Sequence, residues 1–179
     1  MKKGFSLIEI LIGAALFAIV FSTAGVVIFS TLRGSRKTIA VTTAKSEGEY
    51  ALSVMTDDIK FADKVTCDAT GMKLQVDKSS SDRLVYSFDS SVSPDKIKWV
   101  SGTLVSPGPI TADLTSEKIV VTIPAADCTG VMFVCDAAQN AVKICFAAGN
   151  ASGTDTSDLV NSVNGIVFKT SVTLINSAN

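Results

Sequence analysis

The first third of the chain contains one long apolar stretch. No residue between Ile10 and Leu32 is charged. These roughly 23 residues would form a helix about 34 Å long, enough to cross the hydrocarbon core of a membrane. The charge at its edge is Glu9, and a carboxylate inside a membrane costs on the order of 2.5–3.5 kcal/mol. The stretch is longer than the 7–15 residues typical of a cleaved secretory signal, so we expect it to be retained.

The apolar stretch is followed by an amphipathic pattern. No proline occurs from Arg33 to about Lys64. Steps of three and four residues separate apolar or small residues, which predicts one helical stripe that packs against the rest of the protein. A single helix is therefore expected from about Phe5 to Lys64. The stripe consists of Val41, Ala44, Gly48, Ala51, Met55, Ile59 and Ala62.

After Lys64 the pattern is typical of strands, because short β-branched and aromatic segments alternate with Ser, Gly, Pro and Asp. We expect a hairpin loop at 78–82, a break at 106–109 and an exposed loop at 148–158. Strands at short intervals predict an antiparallel sheet and an α+β fold. The predicted strands are Met72–Val76, Arg83–Phe88, Lys96–Val100, Glu117–Ile123, Val131–Cys135, Val142–Phe146 and Gly165–Leu174.

Composition narrows the range of functions. The net charge is −1, which does not indicate a nucleic-acid-binding surface. The chain has no histidine, the most frequent acid–base residue near neutral pH and a frequent zinc ligand. We therefore expect no catalytic site, although an enzyme remains an alternative.

All four cysteines follow the apolar stretch. An even number outside the membrane segment predicts two disulfides, for which three connectivities exist. We expect Cys135–Cys145 across a hairpin near Asn140, which leaves Cys67–Cys128 to join the end of the helix to the sheet. The alternatives are a four-cysteine metal site, which the spacing does not favour because no C-x₂-C pair is present, and free buried cysteines.

Four acidic residues in late loops are candidate calcium ligands: Asp127, Asp136, Asp155 and Asp158. No EF-hand spacing is present, so solvated loop carboxylates are the favoured interpretation. We expect neither a cofactor nor a metal.

The N-terminal residues Lys2-Lys3-Gly4-Phe5-Ser6-Leu7-Ile8-Glu9, placed directly before the apolar stretch, resemble the processing site of type IV prepilins and type II secretion pseudopilins. The resemblance covers about the first 65 residues. It implies a leader of residues 1–4 with the charges of Lys2 and Lys3, cleavage between Gly4 and Phe5 by a membrane aspartyl peptidase, and N-methylation of Phe5. It further implies a pilin-like organisation, with a transmembrane and filament-core helix at 5–32, an amphipathic helix half at 33–65 and a β-rich head at 66–179.

Glu9 has a specific interpretation in this context. Residues i and i+4 share a helix face, so Glu9 lies one turn beyond Phe5. The amine of one subunit and Glu9 of a neighbour would neutralise two charges in an apolar bundle and set the register of the two helices. The alternative is an ordinary signal anchor whose Glu9 lies at the membrane interface.

Two departures from major pilins indicate a minor pilin or minor pseudopilin. Major pilins often carry proline near the middle of the apolar stretch, where this chain has Val26. They also often have aromatic residues near its end, where Ile28 and Thr31 stand here.

The resemblance implies a structural filament subunit and its partners. These partners are other pilin or pseudopilin subunits, the prepilin peptidase, an inner-membrane assembly platform and, before assembly, membrane lipid. The subunit would be a single-pass inner-membrane protein with a periplasmic or extracellular head, later part of a filament in the periplasm or on the cell surface. Positive charges on both sides of the apolar stretch leave the orientation ambiguous on charge alone.

Two alternative functions remain open at this level. One is a binding module at a filament tip, which would capture a surface, DNA or an export substrate. The other is an enzyme that uses a prepilin-like anchor. Pilus, secretion pseudopilus and competence filament are equally compatible with these residues.

Overall fold

A computed structural model describes residues 7–79, 81–91, 93–136, 140–151 and 165–175. The chain divides into two compact units, one up to Ile39 and one from Ala40 onward. Its elements are, in order, α1 Leu7–Lys60, β1 Lys64–Cys67, β2 Lys73–Asp77, β3 Arg83–Asp89, β4 Lys96–Gly102, β5 Pro107–Asp113, β6 Ile119–Thr122, α2 Ala125–Cys128, β7 Phe133–Asp136, β8 Ala141–Asn150 and β9 Ile166–Thr173.

The first unit consists of the apolar part of α1. Its large side chains are exposed, including Leu7 at 80% and Phe29 at 76%. The hydroxyls of Ser22, Thr23 and Thr31 donate to backbone carbonyls three or four residues earlier in the same helix. These polar groups are therefore satisfied without water. The helix is long and apolar enough to cross a membrane.

In the second unit, the C-terminal part of α1 packs on antiparallel sheet, which confirms the predicted α+β, pilin-like fold. The predicted stripe is the buried face of this helix. Val41 at its start is half-buried, and five further members are buried: Ala44, Gly48, Ala51, Met55 and Ile59. Ala62 is buried too, but it follows the end of the helix at Lys60. They contact a core whose largest side chains include Tyr86, Phe133 and Phe146.

Two antiparallel sheets form the head. The first is a five-stranded meander in the order β1-β2-β3-β4-β5. In the second, β8 pairs with β6 and β7 along one edge and with β9 along the other. Backbone bonds connect the two sheets: the N–H groups of Met132 and Phe133 donate to the carbonyl of Gly71, and that of Val121 donates to Asp95.

The helix is shorter than predicted, because α1 ends at Lys60 and Lys64–Cys67 is a strand. The N–H of Ala62 donates to the carbonyl of Ile59, which tightens the last turn, and the N–H of Asp63 donates to Asp77 of β2. The chain thus enters the sheet at a point where helical periodicity alone predicts continuation.

Two further predictions about strands were wrong. Three of the four residues of the expected break at 106–109 lie in β5, which pairs with β4 and with no other strand of the described part of the chain. Proline is tolerated at an edge because one side of the strand needs no ladder bond. The loop expected at 148–158 does not begin at Ala148, since β8 runs to Asn150 and Ala148 is fully buried. Residues 152–158 of that prediction lie outside the described residues.

A polar contact fastens α1 to the first sheet. Asp58 of α1 accepts a hydrogen bond from the Tyr86 hydroxyl in β3 and lies 2.6 Å from the Nζ of Lys78. Burial raises the pKa of the Tyr86 phenol far above its usual value, and the bond to Asp58 raises it further. Tyr86 therefore stays protonated and acts as a donor at any physiological pH.

Candidate functional site

The N-terminal turn of α1 carries the acid that the sequence singled out. Glu9 lies in the first turn, with an exposed side chain. Among the described residues, no cation lies within ion-pair distance of its carboxylate. Lys2, Lys3, Gly4 and Phe5 lie outside the described residues. Within the part of the chain that the structure describes, Glu9 is therefore available to a further charged group.

Glu9 is followed by an apolar surface that has no partner within its own compact unit. Burying one Leu, Ile or Phe side chain is worth roughly 1.5–3 kcal/mol, so this surface requires lipid or other apolar helices around it. In such surroundings an unpaired carboxylate is unfavourable, and a counter-charge becomes necessary. The exposed side chains on this surface include Ile8, Leu11, Leu16, Phe17, Val20, Phe21, Val27 and Leu32.

All four cysteines are paired, but the predicted connectivity was wrong. The bonds are Cys67–Cys135 and Cys128–Cys145. Cys135 lies opposite Val142 in the β7–β8 ladder and shares its inward face, whereas Cys145 is three positions further along. Because side chains alternate between faces of a strand, Cys145 points to the other face and cannot reach Cys135.

Each observed bond has its own structural role. Cys67–Cys135 joins β1 to β7 and so connects neighbouring edges of the two sheets, with Cα atoms 5.8 Å apart. Cys128–Cys145 fastens the short helix α2 to the outer face of β8. The predicted hairpin before β8 is present, and Asn140 adopts a φ of 47°, a left-handed conformation that asparagine tolerates.

The calcium candidates do not form a cluster in the described part of the chain. Within it, no group of three or more possible metal ligands is found. Asp127 instead forms an ion pair with Lys169 at 3.2 Å. Asp155 and Asp158 lie outside the described residues.

The head has an open cleft of about 520 Å³ between α1 and the connection from β5 to β6. Glu47 of α1 accepts two hydrogen bonds from Ser116, at 2.8 Å from the N–H and 2.6 Å from the hydroxyl. Lys96, only 8% exposed, lies 2.9 Å from Asp113. Nothing local in the sequence predicts this contact, because Glu47 and Ser116 are 69 positions apart.

A second, smaller cleft of about 320 Å³ lies on the outer face of the second sheet, beside Cys128–Cys145. Val134 and Ile144 contribute apolar surface, and Lys143 and Lys169 contribute positive charge. The charge of Lys169 is compensated by Asp127. This surface is amphipathic, but nothing in it fixes the position of a ligand.

Comparison with known proteins bears on the N-terminus alone. Residues 1–25 match a family model described as the prokaryotic N-terminal methylation motif. No curated protein and no solved structure matches the chain. The match supports a relation to type IV pilin-like precursors and includes Gly4, Phe5 and Glu9; residues 26–179 have no counterpart in these comparisons.

Proposed function

We propose that this protein is a structural subunit of a type IV pilus-like or type II secretion filament, and a minor pilin or minor pseudopilin within it. The observation that carries the proposal is the methylation motif at residues 1–25, placed before a helix whose apolar surface has no partner in its own unit. The head supplies a disulfide-bonded β-rich surface. The chain would have a structural function and no catalytic one.

The proposed sequence of events follows from these parts. The chain is inserted in the inner membrane as a single span, with its head on the periplasmic or extracellular side, where disulfides persist. Prepilin peptidase cuts after Gly4 and methylates the amine of Phe5. The apolar helices are then extracted from the membrane and pack against one another in the filament. The assembly platform supplies the work of extraction.

Glu9 directs assembly in this proposal. In a bundle of apolar helices, its carboxylate and the methylated amine of Phe5 on a neighbour neutralise each other. The pair favours one relative position of the two helices, because any other leaves two charges unpaired in an apolar environment. The finer assignment to a minor subunit rests on Val26, Ile28 and Thr31.

The intact mass of the membrane protein tests this function. With an active prepilin peptidase we expect a species without Met1–Gly4 that carries one added methyl group, and without the peptidase the full-length mass. Glu9→Ala should still be processed but should be lost from the filament fraction. Glu49→Ala, a matched change of an exposed acid on α1, should enter filaments normally. An untrimmed chain in cells with active peptidase contradicts the proposal.

A further inference from the structure

The open cleft in the head has the chemistry of an arginine site. Glu47 is held in place by Ser116, and each of its carboxylate oxygens receives one hydrogen bond, which leaves further lone pairs for a donor. Glu117 is 90% exposed at the rim. A guanidinium offers five donors in a planar fork, which suits two carboxylates that line the same cleft.

An aromatic ring and the local charge balance favour the same ligand. Tyr50 lines the cleft one turn beyond Glu47 on α1 and is 62% exposed, so its ring face is open to a cation. Lys96 adds one positive charge, and its Nζ lies 2.9 Å from Asp113 and 4.0 Å from Glu117. With Glu47 and Glu117 counted as well, the cleft has a formal charge of −2 at pH 7.

Two arginines of α1 have no ion-pair partner among the residues that the structure describes. Arg33 and Arg36 lie three positions apart on α1, directly after the apolar stretch, and both are exposed. Within the described residues, no carboxylate lies within ion-pair distance of either. Two cations at the end of an apolar helix are thus left for another molecule.

We propose that this cleft, lined by Glu47, Tyr50, Asp113 and Glu117, binds Arg36 of a neighbouring copy of the chain, with Arg33 one turn below it. This contact rests on the proposed function, since it needs the apolar helices of two copies side by side. It adds a second point of recognition, between the helix of one subunit and the head of another.

This contact would involve a different neighbouring copy from the one whose Phe5 amine pairs with Glu9. The pairing of the Phe5 amine with Glu9 requires that two parallel helices are shifted by four residue positions. The pairing of Arg36 with Glu47 requires a shift of eleven positions. One pair of parallel helices cannot have both offsets. In a helical assembly each subunit has several neighbours at different offsets, so the two pairings select two of them.

Site-specific photo-crosslinking tests this contact in the full-length protein. A photoreactive amino acid replaces Arg36, cells with active prepilin peptidase are irradiated, and crosslinked peptides are mapped by mass spectrometry. We expect a crosslink between two copies that ends within residues 47–50 or 113–117. The same probe at Lys45, also exposed on α1, is the matched control and should not label this cleft.

Charge reversal gives an independent measurement. We expect Arg36→Glu to lower the amount of protein in sheared filaments about tenfold, the scale of a lost pair between close charges. Lys45→Glu, with the same change in charge, should have little effect. Adding Glu117→Arg to Arg36→Glu should restore most of the yield, and Glu117 is exposed enough that the head should still fold.

The outcomes separate the contact from the proposed function. One outcome would be processed, methylated protein in filaments whose crosslinks from position 36 end outside the cleft or on a different protein. This result would overturn the proposed contact but would leave the proposed function as a filament subunit intact. Equal filament yields for Arg36→Glu and Lys45→Glu also overturn it. Protein that is never processed and never sediments as an assembly overturns both.

Discussion

At the scale of single residues, Asp89 shows how one carboxylate stabilises a strand end. It lies at the end of β3, and its oxygens accept hydrogen bonds from Lys98 at 2.7 Å and from the N–H and hydroxyl of Ser91. The bond from Lys98 and those from Ser91 lower the pKa of Asp89 from 3.8 to about 2. The folded protein therefore binds this proton less readily than the unfolded chain does.

This difference predicts a pH dependence of stability. Because the folded pKa is the lower one, the contribution of Asp89 is fully present above pH 3.8 and is lost as the pH falls through about 2. We expect Asp89→Asn to lower the urea midpoint of the head at pH 6 and to match the wild type near pH 2. Asp82→Asn, which removes an exposed carboxylate, is the control. A constant difference between wild type and Asp89→Asn over this range would contradict the assignment.

The residues differ in how far sequence alone could assign them. Glu9 could be singled out from a local motif and the apolar residues that follow it, and its role stays a prediction. Glu47 could not be singled out, because its hydrogen bonds to Ser116 exist only after the chain has folded. The same holds for Asp58, whose partners Tyr86 and Lys78 are brought to it by β3 and the loop before it.

At the scale of elements, the packing of α1 on β9 depends on the absence of a side chain at Gly48. A Cβ at this position would lie 2.3 Å from ring atoms of Phe168, which in turn stacks on Phe146 with ring centroids 5.2 Å apart. The ring cannot retreat without disturbing Phe146, which is fully buried. Glycine is thus required by packing in the middle of a helix, where it otherwise weakens helix formation.

Two glycine substitutions should therefore have different effects. We expect Gly48→Ala to lower the free energy of unfolding of the head by about 1–3 kcal/mol, as overpacking typically does. Gly34→Ala introduces a Cβ with no atom within 4 Å and lies in the other compact unit, so it should leave head stability unchanged. Urea unfolding followed by the fluorescence of Trp99 measures both, and equal midpoints would exclude the predicted clash.

Some elements could be predicted from sequence patterns alone, and others could not. The buried stripe of α1 was predicted because its members from Val41 to Ile59 lie on the same face of the helix. The hairpin between β2 and β3 was predicted because its loop residues are typical of turns. The strand β5 and the C-terminal part of β8 were missed, since proline at a sheet edge and small residues between two neighbouring strands resemble a loop in sequence.

At the scale of the whole molecule, the two disulfides hold different parts of the head together. Cys67–Cys135 encloses 68 positions of the chain, and Cys128–Cys145 encloses 17. In the chain-entropy model these loops correspond to about 4 and about 3 kcal/mol of stabilisation. Their connectivity depended on the register of β7 and β8, which is a property of the folded sheet and could not be obtained from cysteine spacing.

Removing each bond as a pair tests both its contribution and the pairing. We expect Cys67→Ala with Cys135→Ala to cost about 4 kcal/mol in urea unfolding, and Cys128→Ala with Cys145→Ala about 3 kcal/mol. In the first variant, Cys128 and Cys145 should remain oxidised and resist alkylation in the unreduced protein. Two alkylated thiols per chain in that variant would contradict the observed pairing.

The bond between Cys67 and Cys135 has a mechanical consequence. If the protein is a filament subunit, as proposed above, tension on the filament would load its head. Strands at neighbouring edges of the two sheets would be places where the head could open. The covalent link shortens the length of chain that pulling can release, because the 68 positions that it encloses cannot be drawn out beyond their two anchoring sulfur atoms. Under load, the segments of the head before Cys67 and after Cys135 would unfold first. Most of the first sheet lies between these two cysteines and would stay inside a closed covalent loop.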